Sequence, residues 1–234
     1  MTPVALPHHP PLAIAVVRNH QVQETWLSLL GILGALLLST GSPEAAAPHP
    51  MVADAGTVLQ VTKDDRILGD PDAPITIVEY ASLSCHHCAR FANDVLPEIR
   101  KEWIDTGKAK LVLRDFPTDQ VALPAAMIAR CAPPERYYAF VETFFAAQEK
   151  WARTRDYREA LARLAKLGGM GKSEFDVCLK NTELENKIVE QRLIATTELQ
   201  VGATPTFFIN GNKFTGAPTV EGFNKVLSSL AAKS

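Results

Sequence analysis

Cys85 and Cys88 stand on either side of His86 and His87 in ITIVEYASLSCHHCARF, the stretch from Ile75 to Phe91. Two thiols one helical turn apart can close a disulfide with each other. The second can also resolve a mixed disulfide formed at the first. Unpaired amides and the dipole at a helix N-terminus stabilise negative charge, so a thiol placed there ionises more readily than a free one, and thiolate is the reactive form. The chemistry on offer is thiol–disulfide exchange, on the condition that a helix begins at Cys85. If protonated, either imidazole adds positive charge beside a Cys85 thiolate and makes the disulfide more oxidising; the alternative for His86 is a solvated residue of little effect.

The elements that must position these groups are readable around them. Ile75 to Tyr80 is β-branched or apolar at five positions and follows Pro71 and Pro74, so it predicts a strand entering the turn before Cys85. Alternation puts Glu79 on the same face as Ile75 and Ile77. Burial there would raise its pKa and make it a proton carrier for the thiols, whereas a solvated Glu on an edge strand is the alternative. Cys88, Phe91, Val95, Ile99 and Trp103 recur at helical spacing, with Pro97 expected to kink that helix.

Competing chemistries lack parts. Four of the six histidines lie among the first fifty residues, leaving only His86 and His87 in the presumptive domain, so no distant His faces Cys85 as in a cysteine protease. A zinc site needs about four ligands, and Cys131 and Cys178 have no second pairwise spacing; an envelope copper or zinc carrier is the less favoured reading and no metal is expected. With four cysteines and Cys85 next to Cys88, Cys131 and Cys178 remain as a second disulfide, two buried thiols being the alternative.

The 234 residues are 47% hydrophobic with a formal charge of −2, enough for one domain with a core and without the basic footprint of a nucleic-acid binder. Residues 1–50 read as a signal peptide or N-terminal anchor, because the apolar run Trp26 to Ser39 is of signal-peptide length and Ala45 to Ala47 offer small residues for cleavage. The domain, 51–234, is therefore expected in the periplasm or another extracytoplasmic compartment, membrane-anchored if the run is not cleaved. Along it we expect a strand at Thr57 to Thr62, turns through DDRILGDPDAP, a buried strand in KLVLRDF, and a helical insert at about 120–200. Within the insert, Tyr137 to Gln148 reads as one amphipathic helix and Tyr157 to Leu167 as another. Ser173 with Asp176 starts a short helix, and Thr182 with Glu185 caps the next. VGATPTFFINGNKFTG reads as a hairpin turning at Asn210, Gly211 and Asn212, with its second strand at Lys213 to Thr215, before a closing helix through Phe223, Val226, Leu227 and Leu230.

Strand, Cys-x-x-Cys helix, strand, helical insert, hairpin and helix, joined by GDPDAP upstream and GATPTFFING downstream, resemble the thioredoxin fold and, within it, the DsbA-like thiol:disulfide oxidoreductases of the bacterial envelope. The resemblance implies an α/β thioredoxin fold with a helical insertion between the active-site half and the cis-proline hairpin half. It implies Cys85 as the exposed nucleophile, Cys88 as the buried resolving thiol, His87 as a residue favouring the thiolate, and Glu79 as the buried acid. It makes Thr204 and Pro205 the substrate-binding loop, with Pro205 cis. His86 departs from the proline of the Cys-Pro-His-Cys form. The implied function is transfer of the Cys85–Cys88 disulfide to reduced or misfolded envelope proteins, with no cofactor beyond that disulfide and reoxidation by a quinone-linked DsbB-type partner. A reductase or isomerase of the same fold is the alternative. Met51 to Asp72 is too short for the dimerisation domain of such isomerases, so a monomer is expected.

Overall fold

The computed structural model describes residues 55–233, so the targeting region read over 1–50 lies outside them. A single helical turn, α1 (Ala55–Val58), stands where the sequence suggests a strand. The backbone there is engaged elsewhere: Val58 and Gln60 carbonyls accept from the Arg114 guanidinium at 2.6 and 2.7 Å, and the Thr62 amide donates to Asp65 at 2.8 Å. Those groups are not free to form a ladder. The stretch read only as turns contains β1 (Ile67–Leu68).

Next come β2 (Ile75–Ala81) and a helical segment from His86 to Ile104, composed of α2 (His86–Arg90), a wide π turn (Phe91–Val95), α3 (Leu96–Ile99) and a second π turn (Arg100–Ile104). Pro97 sits in the first turn of α3. It cannot donate, but the helix has already changed register, with the Leu96 amide bonding the Phe91 carbonyl five residues back. The expected disruption takes the form of this widened turn, and the helical segment continues past the proline.

β3 (Ala109–Asp115) precedes the insert, which consists of α4 (Ala122–Cys131), α5 (Tyr137–Ala146), α6 (Gln148–Trp151), α7 (Tyr157–Leu167), α8 (Lys172–Cys178) and α9 (Thr182–Glu198). Three boundaries differ from the sequence reading. The helix expected over Tyr137 to Gln148 breaks at Ala147 into α5 and α6. α8 is capped by Gly171, whose amide donates to Glu174 at 2.7 Å, while Asp176 pairs with Lys172 instead. α9 is capped by Asn181, which accepts from the Leu184 amide at 3.0 Å, one residue before the Thr182 expected to do so. β4 (Thr206–Ile209), β5 (Asn212–Lys213) and α10 (Val220–Ala231) complete the chain. Asn210 and Gly211 both have positive φ, 45° and 80°, so the hairpin turns on these residues alone and Asn212 already belongs to β5.

The sheet order is β1-β3-β2-β4-β5, with β2 and β3 parallel and every other pair antiparallel. This is the α/β architecture with a helical insert that the resemblance implies. One sheet face packs Ile75, Ile77 and Phe207 against Phe91, Trp103 and Phe223; the other packs Val78, Tyr80 and Phe208 with Ala195 and Leu199. The insert has its own core around Ile128, Tyr137, Phe144 and Trp151, and that core continues to Leu83 and Cys88. Among the described residues, no helix is long and apolar enough to cross a membrane.

Candidate active site

The strand directions create the site. β2 and β3 are parallel and end together, and β4, antiparallel to β2, starts at that same end, with Thr206 opposite Tyr80. The turn after β2, the loop after β3 and the residues before β4 must therefore meet. Cys85 lies in this meeting place as the N-cap of α2, in extended conformation (φ −77°, ψ 120°), and its thiol donates to the Thr204 carbonyl at 3.4 Å. The Thr204–Pro205 peptide is cis. A groove of about 460 Å³ runs alongside, lined by His87, Arg90, Asp94, Thr204, Pro205 and Thr219.

Three tethers hold the turn. Ser84 donates to Asp119 at 2.7 Å, and the other Asp119 oxygen accepts the Val121 and Ala122 amides at 3.1 and 2.9 Å, at the start of α4. Buried Ser82 accepts from the Thr118 hydroxyl at 3.0 Å. From α6, the Gln148 side-chain amide donates to the Leu83 carbonyl at 2.6 Å and the Cys85 carbonyl at 3.1 Å. Ser84, Thr118, Asp119 and Gln148 were not singled out as site residues in the sequence. The one available signal was Gln148 itself, a polar side chain in phase with Tyr137, Phe140, Val141, Phe144 and Phe145.

The two thiols, both unbonded, differ in environment. Cys85 is partly exposed and its pKa is pulled down to about 5, first by a hydrogen bond from Cys88, then by the Thr204 side chain and the Cys88 and His87 backbone groups, against an upward push from partial burial. Cys88 is fully buried, and burial followed by the neighbouring Cys85 pushes it well above the ordinary thiol range. Glu79 is 2% exposed, with Oε1 unpartnered; burial first and the Cys85 charge second raise its pKa to about 8. At neutral pH the site therefore presents a thiolate at Cys85, a thiol at Cys88 and a protonated acid at Glu79.

His86 and His87 are exposed, their rings 3.8 Å apart. Arg90 Nη2 lies 3.0 Å from His87 Nδ1. A guanidinium only donates, so a hydrogen bond between these two atoms requires a lone pair on Nδ1. Cys131 and Cys178 are joined, with Cα atoms 6.1 Å apart, and tie α4 to α8. Among the described residues, no group of three or more His, Cys, Asp or Glu side chains is arranged to hold a metal ion.

A family model described as thioredoxin matches residues 61–229. The solved structure of alpha-DsbA1 from Wolbachia pipientis is similar with a TM-score of 0.72 and 33% identity, over 76% of this chain and 96% of that one. The chain belongs to the DsbA-like thioredoxin-fold family of thiol:disulfide oxidoreductases. A Rickettsia felis relative named for protein-disulfide oxidoreductase is 32% identical over 171 residues, covering 72% of this chain and 61% of the relative. The chain thus spans about three fifths of the length of the Rickettsia relatives it matches. BdbD of Bacillus subtilis, at 22% identity and a TM-score of 0.64, shares the fold.

Proposed function

We propose that this protein is an exported disulfide oxidase that transfers its Cys85–Cys88 disulfide to reduced or misfolded proteins of the bacterial envelope. The observation that carries the reading is the opposite placement of the two thiols, Cys85 at the open helix start with a lowered pKa and Cys88 buried with a raised one. A substrate thiolate attacks Cys85 Sγ, forming a mixed disulfide and breaking the Cys85–Cys88 bond, and the electron pair leaves on Cys88. Cys88 then takes up a proton, for which protonated Glu79 is the buried source. A second substrate thiolate attacks the substrate sulfur and expels Cys85 as a thiolate, a good leaving group because of its low pKa. The substrate loses two electrons, and the enzyme is left with one thiolate and one thiol.

Attack at Cys85 rather than Cys88 follows from access, and Thr204 with Pro205 would bind the substrate backbone in the adjoining groove. His86 and His87 would border the same entrance. No cofactor beyond the disulfide is needed for transfer. Reoxidation requires an electron acceptor, for which a quinone-linked membrane partner of the DsbB type is proposed from the family resemblance. The periplasm, reached by an N-terminal signal, is the proposed compartment.

The test is the equilibrium of the Cys85–Cys88 pair with glutathione. A potential at or above about −180 mV supports a disulfide donor, and one near about −270 mV makes a reductase the better description. Cys85→Ser should abolish oxidation of a reduced model protein, and residual turnover would exclude Cys85 as the attacked sulfur.

A further inference from the structure

Gln148 belongs to the insert, far in sequence from the cysteines, yet the residue is only 5% exposed and its side-chain amide bonds the carbonyls on either side of Ser84. The Cys85 carbonyl is also the first acceptor of α2, taking the Ala89 amide at 3.0 Å. The plane of the Cys85–His86 peptide is therefore fixed from two directions, by the helix it begins and by the insert. That plane sets where the next amides, those of His87 and Cys88, lie relative to Cys85 Sγ. α6 is itself held rigidly, since Trp151 is fully buried and its indole N–H donates to the Phe144 carbonyl at 2.8 Å. A donor carried by so rigid an element can hold a reactive turn in one geometry.

We propose that Gln148 is a positioning residue for the nucleophile: by bonding the Leu83 and Cys85 carbonyls it keeps the first amides of α2 aimed at the Cys85 sulfur and so stabilises the thiolate. This rests on the reading of Cys85 as the attacked thiol. A side chain that merely satisfied two buried carbonyls would affect folding stability and leave the ionisation of Cys85 unchanged. Gln148→Leu removes the donor while keeping comparable bulk. In the reduced, folded variant the ultraviolet absorbance of the thiolate should titrate about half a unit or more above wild type, which is about a threefold weaker stabilisation of the thiolate. Its equilibrium with glutathione should move about threefold toward the protein disulfide.

An unchanged titration in a folded Gln148→Leu protein overturns the proposal. Should that variant not fold, the wild type decides by NMR: the Gln148 side-chain amide protons should exchange slowly with water and shift as Cys85 titrates, whereas fast exchange with no response to that titration overturns the assignment. Both measurements use reduced protein without substrate. Failure of the oxidase reading would appear separately, as absent turnover in a wild type whose Cys85 titrates normally.

Discussion

Two cysteines three positions apart have pKa values moved in opposite directions, Cys85 downward chiefly by a hydrogen bond from Cys88 and Cys88 upward chiefly by its burial. Glu79 adds a third charge equilibrium behind them, and its sign can be worked out. An unfolded Glu loses its proton near pH 4.5, while the folded one, buried beside Cys85, holds it to about pH 8. Between those values the native state binds more protons, so Glu79 removes stability as pH rises. Glu79→Gln, which is neutral throughout, should match the reduced wild type near pH 4 and exceed it by up to about 3 kcal/mol at pH 7, as read by urea unfolding. Equal stabilities at pH 7 would mean that Glu79 is ionised in the native protein. Strand alternation made the position of Glu79 legible, because a carboxylate in phase with Ile75 and Ile77 is conspicuous. Gln148 carried no comparable mark of its partners, since its bonds are to backbone carbonyls and any residue type can supply those.

Among the elements, the turn between β2 and α2 is governed by what the insert sends toward it. Asp119 serves two elements at once, accepting the first free amides of α4 with one oxygen and the Ser84 hydroxyl with the other. Asp119→Ala should cost about 1–2 kcal/mol, the range for losing a helix-start acceptor. Ser84→Ala should cost less, and the two losses should be non-additive in a double-mutant cycle, because both remove the same bond. Additive losses would show that the Ser84–Asp119 contact contributes nothing to the fold. Helices with strong apolar periodicity, such as α7 and α10, were legible because their faces repeat along the chain. The caps of α8 and α9 and the two-residue β1 were misread for a different reason: each depends on one bond, or on a neighbouring strand supplied from elsewhere. The strand expected at Thr57 to Thr62 failed in the same way, its carbonyls being claimed by Arg114 near the end of β3.

At the scale of the whole molecule, the two cysteine pairs should affect stability in opposite directions. The Cys131–Cys178 bond spans a sequence separation of 47, so it removes considerable freedom from the unfolded chain. Replacing both residues by serine should lower stability by about 2–4 kcal/mol. The Cys85–Cys88 bond closes a very short loop and restricts the unfolded chain much less. Opening it creates a thiolate that accepts bonds from Cys88, the Thr204 side chain and the helix-start backbone, interactions the disulfide cannot make. Since that thiol's pKa is lowered to about 5 in the folded protein, the stabilisation is fully present only above the unfolded thiol's pKa and is lost as pH falls through about 5. Reducing Cys85–Cys88 with mild glutathione, which leaves the bond between α4 and α8 intact, should therefore raise the thermal midpoint at neutral pH, and the gain should shrink toward pH 4. A thermodynamic cycle connects this gain to function: whatever the reduced state gains on folding, the folded disulfide acquires as oxidising power relative to the unfolded one. An oxidised form that proved the more stable at pH 7 would reverse the sign of that cycle and make the protein better suited to removing disulfides than to donating them.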